Sequence, residues 1–344
     1  MRKSLIVFNL TLFFLSYQLQ AQVTWIKNKR YESESNDLIA VQYNFEHFRS
    51  FFSLPNIGDY ILTDNGLHLY KKDSIYLPTL FAPTHFVKDG NRIVGIGDRE
   101  FGFFDGKTLI NYNKIRYRPL RHDAILIRDN EPADSSDQKL RLFLLANNSQ
   151  SIYLLSSTEL LTIDKSNFTI HAKSIRWGNI YPAFNDTRKY PEHMLSNEKG
   201  DLIITLTYAP QILLYKDSVW LQGTMPLDFK GVRKSKRLTK DENGSFYISC
   251  PETLEHFKVT NAGIIRANFT LPPHVTGFNL VWIKNETEMA GVIDNEFWIQ
   301  KKGVWKKQVL SKQPILGRDF MEITKSEEGL FYLTHLQEGV FIVK

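Results

Sequence analysis

Short apolar runs, each followed by a polar turn, recur along most of the chain. Runs that follow a glycine or a turn begin near residues 58, 90, 139, 200, 244, 287 and 329, such as GDLIITL at 200, GSFYISC at 244 and KLRLFLL at 139. The six steps from Gly58 to Gly329 cover 271 residues, a mean of about 45, which is the length of a four-stranded β-propeller blade. The repeat therefore predicts a propeller with seven units.

Within a repeat, the pattern predicts four antiparallel strands. A leading strand such as FMEITKSEEG ends in a polar turn, and an apolar second strand follows. A third strand such as QILLYKD alternates apolar and polar positions, with Ile212 and Leu214 set against Lys216, and a fourth such as SVWLQGT begins after the next turn. Period-two alternation with Asp, Asn and Gly in the turns is typical of hairpins, so we predict an all-β fold.

The two ends of the chain complement each other. Residues 329–334 and 339–344 have the patterns of a second and a third strand, and the fourth strand of that unit is missing. Val23–Lys27, in QVTWIKNK, resembles the fourth strands SVWLQGT and GVWKKQV. We therefore predict a seven-bladed β-propeller of four-stranded antiparallel blades, closed by the N-terminal strand, which completes the last blade and removes a free edge.

Residues 1–22 have the layout of a secretory signal peptide. Arg2 and Lys3 precede an apolar run at 5–15, and Ala21 suits a cleavage site. We therefore expect a single propeller domain at 23–344, exported to the periplasm or beyond. The apolar run falls short of the roughly 20 residues of a membrane helix, and no later stretch reaches that length, so we predict no membrane span in the mature chain. Leu19 fits a cleavage site poorly, which leaves an uncleaved anchor as the alternative.

Charge and cysteine content narrow the function classes. Removing Arg2 and Lys3 lowers the formal charge from +6 to +4, too little to indicate nucleic acid as a partner. A single cysteine, Cys250, excludes an internal disulfide framework, so a large apolar core must hold the exported fold together. We expect Cys250 to be a small buried hydrophobic residue.

Two units resemble a known repeat family. The sequences EEGLFYLTHLQEGVFIVK and DYILTDNGLHLYKKDSIYL are similar to the propeller repeats of periplasmic sensor domains in bacterial two-component regulators. In that family a Gly-Leu-aromatic strand precedes a Gly-Leu or Gly-Val strand, and the Trp of the first strand is Phe331 here. The resemblance implies a propeller fold and a ligand-sensing ancestry outside the cytoplasm, here in a stand-alone secreted propeller.

Two longer units place basic and aromatic residues together. The extra length falls at 111–138 and 164–197, and insertions in propellers form loops on a binding face. Arginine forks bind carboxylate or sulfate, and aromatic rings stack on sugars, so these loops suit an anionic glycan, a charged peptide or a partner protein. The alternative is a solvated rim with packing aromatics. The candidate ligand-binding residues are Arg116, Arg118, Arg121, His122, Arg176, Trp177, Tyr181 and Arg188.

Other charged runs carry weaker signals. The basic run 231–240 (GVRKSKRLTK) could attract an acidic partner, but a solvated linker is favoured because no aromatic residue is interleaved. The acidic run 129–137 lacks the spacing of an EF-hand loop and is best interpreted as an exposed loop. The chain has neither HExxH nor GxSxG, and we predict no metal and no cofactor.

These patterns favour a non-catalytic extracytoplasmic module that binds a glycan, peptide or partner protein through loops on one propeller face. A propeller-fold polysaccharide hydrolase or lyase is the alternative, because a carboxylate pair can come from distant blades and leaves no local motif. Catalytic residues are accordingly not assigned. A cell-envelope scaffold is a third, weaker hypothesis.

Overall fold

The computed structural model describes most of the chain beyond the first 22 residues, in segments. The described residues are 23–27, 48–54, 58–63, 66–71, 74–76, 85–96, 101–104, 109–112, 114–118, 123–127, 138–139, 142–156, 159–174, 191–207, 209–226, 236–250, 253–275, 277–311, 320–326, 329–335 and 338–343. The predicted signal peptide lies outside them. No helix in these segments has the length and apolar character required to cross a membrane.

Strands are the regular elements of the fold. Following β1 (Val23–Lys27), sheet I contains β2 (Phe48–Leu54), β3 (Gly58–Thr63), β4 (Gly66–Lys71) and β5 (Ser74–Tyr76), and sheet II contains β6 (His85–Asp89), β7 (Arg92–Ile96), β8 (Phe101–Phe104) and β9 (Leu109–Tyr112). An added sheet contains β10 (Lys114–Arg118), β11 (Asp123–Ile127) and β12 (Gln138–Lys139). Sheet III contains β13 (Leu142–Asn147), β14 (Ser151–Ser156), β15 (Glu159–Asp164) and β16 (Ile170–Ser174).

Sheets IV to VII complete the fold. Sheet IV contains β17 (Pro191–Ser196), β18 (Leu202–Leu206), β19 (Gln211–Lys216) and β20 (Val219–Thr224), and sheet V contains β21 (Arg237–Lys240), β22 (Phe246–Cys250), β23 (Glu255–Thr260) and β24 (Gly263–Arg266). Sheet VI contains β25 (Asn279–Asn285), β26 (Glu288–Ile293), β27 (Glu296–Lys301) and β28 (Val304–Val309). Sheet VII contains β29 (Phe320–Lys325), β30 (Phe331–His335), β31 (Gly339–Val343) and β1.

The predicted all-β propeller with antiparallel sheets is confirmed. Within the described segments, six four-stranded sheets, I to VI, each consist of four consecutive strands. Sheet VII is composite, because β1 pairs with β31 in an antiparallel register that runs from Val23↔Val343 to Lys27↔Gly339. Strands from the two ends of the chain thus lie in one sheet.

One predicted strand assignment is wrong. The run KLRLFLL at 139 was expected to contain a second strand, but β12 ends at Lys139 in the added sheet, and β13 is the first strand of sheet III. The second strand is β14, which follows Asn148. Asn148 Oδ1 accepts hydrogen bonds from the amides of Gln150 and Ser151, so this turn forms without the glycine that marks the other repeats.

The repeated glycines have a conformational cause. Gly200, Gly244 and Gly329 precede second strands and have φ values of +85°, +78° and +85°, a region that residues with a Cβ rarely adopt. A polar side chain caps two of these turns from the first strand: Asn197 Oδ1 and Asp241 Oδ1 each accept two backbone amides. The turn chemistry therefore fixes where each hairpin reverses.

The apolar core lies between successive sheets. Ile203 and Ile212 of sheet IV, for example, pack with Ile248 and Cys250 of sheet V, and Cys250 is fully buried. A similar cluster joins Phe51 and Ile61 of sheet I with Val340 of sheet VII. In both clusters, apolar side chains of one sheet are buried against the next sheet, as expected for blades that pack face to face. Cys250 is buried, as its apolar run indicated.

Candidate functional site

The first strands of the sheets surround a central channel. Neighbouring first strands contact one another, as β6 does with β13, β13 with β17, β21 with β25 and β25 with β29. Two cavities adjoin along this channel and share Met194, Leu195 and Lys240 in their walls. One lies toward the residues at which the first strands begin, and the other toward the residues at which they end.

The cavity at the beginnings of the strands, named here the His–Arg cavity, has a volume of ≈ 360 Å³. Its lining comes from β17, β21, β25 and β29: His193, Met194, Leu195, Arg237, Leu238, Thr239, Lys240, Asn279, Leu280, Phe320 and Ile323. Arg237 Nη2 donates a 3.0 Å hydrogen bond to the carbonyl oxygen of Phe320. Because these residues belong to sheets V and VII, the guanidinium group bridges first strands on either side of sheet VI.

Positive charge surrounds the imidazole of His193. Burial first of all, and then the positive charges of Arg237, His85 and Lys236, lower the pKa of His193 to about 3. Burial also lowers the pKa of His85. The side chain of His193 is therefore a neutral imidazole at neutral pH, and the cavity presents a cationic field that favours an anionic ligand.

A buried lysine supplies part of this field. Lys236 is fully buried, and its Nζ donates hydrogen bonds to the carbonyl oxygens of Leu206 and Ala209 in sheet IV. Glu192 Oε2 lies 3.8 Å from the same nitrogen. The lysine is thus held in the wall between sheets IV and V, since a buried charge requires such partners.

A polar oxygen is also buried in this cavity. Asn279 is 4 % exposed, and its Oδ1 accepts no hydrogen bond from the described residues. An unpaired buried acceptor has a cost of about 1–3 kcal/mol. A ligand with a donor group next to its acidic group would therefore be favoured here.

The favoured sequence interpretation of the run 231–240 is wrong for three of its residues. Lys236 is buried, Arg237 lines the His–Arg cavity, and Lys240 lines both cavities. The signal that was missed is the alternation in RLTK directly before the turn DENG, which makes 237–240 a first strand and not a solvated linker. His193 lies in the first strand of the preceding sheet and within the second insertion, 164–197, but it was not among the candidate ligand-binding residues.

The predicted ligand-binding residues lie on segments that precede first strands. Arg116 and Arg118 belong to β10, whose added sheet contacts β16 through β11. Their side chains, and Arg121, His122, Arg176, Trp177, Tyr181 and Arg188, lie outside the described residues. The segments between β9 and β13 and between β16 and β17 join the last strand of one sheet to the first strand of the next. The first strands that follow these two segments are β13, which begins at Leu142, and β17, which begins at Pro191.

The second cavity, named the lysine-rimmed cavity, lies at the opposite end and has a volume of ≈ 310 Å³. Its wall is largely aromatic. Phe52 packs edge-on against Phe86 with ring centroids 4.7 Å apart, and Phe51 stacks on Tyr332 at 4.8 Å. Each pair joins two neighbouring sheets, so the packing of sheets VII, I and II holds the wall in place. Three lysines line it as well: Lys88, Lys240 and Lys325.

A series of hydrogen bonds between neighbouring sheets, named here the belt, holds Lys88 and Lys240 at this end. Lys88 Nζ donates to the Ser53 carbonyl oxygen at 2.9 Å, and Asn147 Nδ2 donates to the Lys88 carbonyl oxygen at 3.0 Å. Ser196 Oγ donates to the Asn147 carbonyl oxygen, and Lys240 Nζ to the Ser196 carbonyl oxygen at 2.8 Å. Each bond joins one sheet to the sheet before it, from sheet V back to sheet I.

Metal chemistry finds no support in the described segments, which contain no group of three or more His, Cys, Asp or Glu side chains able to hold an ion. The acidic run 129–137 lies outside them.

Comparisons with known proteins show the fold. No protein-family model matches the chain, and no curated protein matches it. Among solved structures, a streptogramin B lyase matches with a TM-score of 0.61 and 10% identity, covering 94% of this chain and 98% of that one. A catalytically inactive histidine-to-alanine variant of virginiamycin B lyase from Staphylococcus aureus, solved with quinupristin, matches at 0.59 and 9% identity, covering 94% and 99%.

Two further groups share the fold. The extracellular domain of a hybrid two-component system from B. thetaiotaomicron matches with a TM-score of 0.53 and 13% identity, and the match covers 94% of this chain and 39% of that one. YCF48 bound to the D1 peptide matches at 0.57 and 10% identity, covering 94% of each. The structural neighbours thus include the extracellular domains of two-component systems, together with a lyase and a peptide-bound protein.

Proposed function

We propose that this protein is a non-catalytic extracytoplasmic binding module that recognises an anionic ligand at the end of the channel that holds the His–Arg cavity. The observation that carries the proposal is this cavity, which brings Arg237 and His193 together at the beginnings of the first strands. A carboxylate or sulfate group of a glycan, a peptide or a partner protein is the chemistry that such a site recognises.

The framework of the site is proposed to be one closed ring of seven blades, sheets I to VII. The pairing of β1 with β31 supports closure, as does the cluster of Phe51, Ile61 and Val340 between sheets I and VII. Closure matters for the site because Arg237 of sheet V reaches Phe320 of sheet VII.

Export after cleavage near residue 22 is part of the proposal. The extracellular domains among the structural neighbours support it.

Isothermal titration against a panel of anionic glycans and acidic peptides tests the proposal. With a ligand from this panel, Arg237→Gln is expected to weaken binding by about tenfold or more, because a charge-assisted contact contributes roughly 1.5–3 kcal/mol. Arg176→Ala and Trp177→Ala are expected to weaken it as well if the second insertion contacts the same ligand.

Arg266→Gln is the matched control, because this guanidinium pairs with Glu255 on the outer part of sheet V and its side chain is 65% exposed. Binding that is equal in Arg237→Gln and Arg266→Gln would remove the His–Arg cavity from the proposal. Unchanged binding in both insertion variants would remove Arg176 and Trp177.

A hydrolase or lyase acting on polysaccharide is the second candidate, since His193 and Arg237 converge on one cavity. A general base works best with a pKa near the working pH, and His193, with a pKa of about 3, is a weak base at neutral pH. Binding is therefore favoured over catalysis. Product formation from an anionic polysaccharide that disappears in His193→Ala, while binding persists, would reverse this preference.

A further inference from the structure

The lysine-rimmed cavity combines a preformed aromatic wall with incompletely used cationic donors. An ammonium group has three N–H donors. Lys88 and Lys240 each use one of these donors for a hydrogen bond to a backbone carbonyl oxygen. Lys325 Nζ lies 3.8 Å from the centroid of the Trp282 ring. Donors of Lys88 and Lys240 therefore remain for a ligand, whereas the ammonium group of Lys325 faces the core between sheets VI and VII.

Little negative charge compensates these lysines. Among the described residues, the ion pairs include neither Lys88 nor Lys325. Lys240 Nζ lies 3.9 Å from Glu198 Oε1, but that side chain is 64% exposed, and solvent screens such a pair. Burial lowers the pKa of Lys240, so its ammonium group is stabilised when an anion enters.

The apolar wall of the lysine-rimmed cavity indicates the chemistry of the uncharged part of the ligand. Phe51 and Phe52 are almost fully buried, and Phe86, Val87, Leu195 and Tyr332 extend the apolar surface along the channel. A volume of ≈ 310 Å³ falls at the small end of the range for small-molecule sites. Flat rings add favourable offset or edge-on contacts to such a wall.

We propose that the lysine-rimmed cavity binds a small organic carboxylate with an aromatic body. The carboxylate lies between Lys88 and Lys240, and the ring packs against the partly exposed Phe86, Val87, Leu195 and Tyr332. This site lies at the opposite end of the channel from the His–Arg cavity and does not depend on the proposed function.

Titration of the full chain with 2-naphthoate and with 2-naphthylmethanol, its uncharged counterpart, tests the proposal. The carboxylate is expected to bind at least tenfold more tightly than the alcohol, because the lysines recognise charge. Lys88→Gln and Lys240→Gln are each expected to weaken naphthoate binding by about tenfold and to leave alcohol binding unchanged.

The variants separate binding from structure. A glutamine at 88 keeps an N–H donor but is one atom shorter than lysine and uncharged; because the bond to the Ser53 carbonyl oxygen is exposed, thermal unfolding of Lys88→Gln is expected to match that of the parent. Lys306→Gln, at an exposed position of β28, is the matched control and should bind naphthoate normally. Equal affinity for the carboxylate and the alcohol, no naphthoate binding at millimolar concentration, or normal affinity in both rim variants would each overturn the proposal.

Discussion

Two buried imidazoles illustrate how single residues respond to the channel and to the core. His193 lines the His–Arg cavity, where burial and three positive neighbours lower its pKa to about 3. His256 packs against Phe269 and Phe278 with ring centroids 5.5 and 6.0 Å away, and burial lowers its pKa to about 4. Neither ring nitrogen of His256 has a hydrogen-bond partner in the described segments, so this histidine behaves as part of the apolar core.

Stability is expected to fall with acid because of these histidines. Each has a folded pKa below the unfolded value of about 6.5, so the unfolded chain binds more protons as pH falls from 6.5 toward 4 for His256 and toward 3 for His193. Each group removes up to about 1.4 kcal/mol of unfolding free energy per pH unit in its window.

Urea unfolding at pH 7 and pH 5 should show a smaller loss of unfolding free energy in His193→Gln than in the parent. The exposed variant His171→Gln should behave as the parent, and identical slopes in all three proteins would contradict the assignment.

Hairpin turns determine how neighbouring sheets are joined. Asn197 Oδ1 caps the turn before β18, and its Nδ2 donates to the Gly244 carbonyl oxygen of the next sheet at 3.2 Å. Asn148 repeats this arrangement one sheet earlier, because its Nδ2 donates to the Asn197 carbonyl oxygen at 3.1 Å. One short polar side chain therefore closes a turn and attaches a blade.

Replacement of Asn197 should measure how much its hydrogen bonds, within the turn and to the next sheet, contribute to the free energy of unfolding. Asn197→Ala is expected to lower the free energy of unfolding by about 2 kcal/mol, because it removes several hydrogen bonds at a buried position. Asn167→Ala is the matched control: Asn167 caps the exposed turn before Thr169 without contacting another sheet, and its loss should be about 0.5 kcal/mol or less. Chemical denaturation of both variants provides the comparison, and losses of similar size would mean that the bond to Gly244 contributes little.

The hairpins could be predicted from the sequence more completely than the candidate site. Glycines with positive φ at 200, 244 and 329 are local signals, and the predicted pairing of Val23–Lys27 with the last third strand appears as β1 with β31. The turn after Asn147 has no glycine, which is why the strand near residue 139 was misassigned. His193 and Arg237 come together only because successive first strands line one channel, and no local pattern encodes that proximity.

At the scale of the molecule, the composite sheet VII is the proposed point of closure. A chain that begins at residue 28 lacks β1, so β31 keeps β30 as a partner on one side and becomes an exposed edge on the other. Its unfolding free energy is expected to be lower by several kcal/mol, at about 1 kcal/mol for each ladder hydrogen bond lost. Thermal unfolding of this chain, compared with a chain that begins at Val23, measures the effect. Equal melting temperatures for the two chains would show that the ring does not depend on β1.

The position of Cys250 allows the separation of two neighbouring sheets to be measured. Its thiol is buried between sheets IV and V, and the sequence contains no other cysteine. A thiol reagent can therefore modify the protein only when these two sheets separate. The rate of labelling, compared with the rate of global unfolding, reports whether blades open one at a time or only all together.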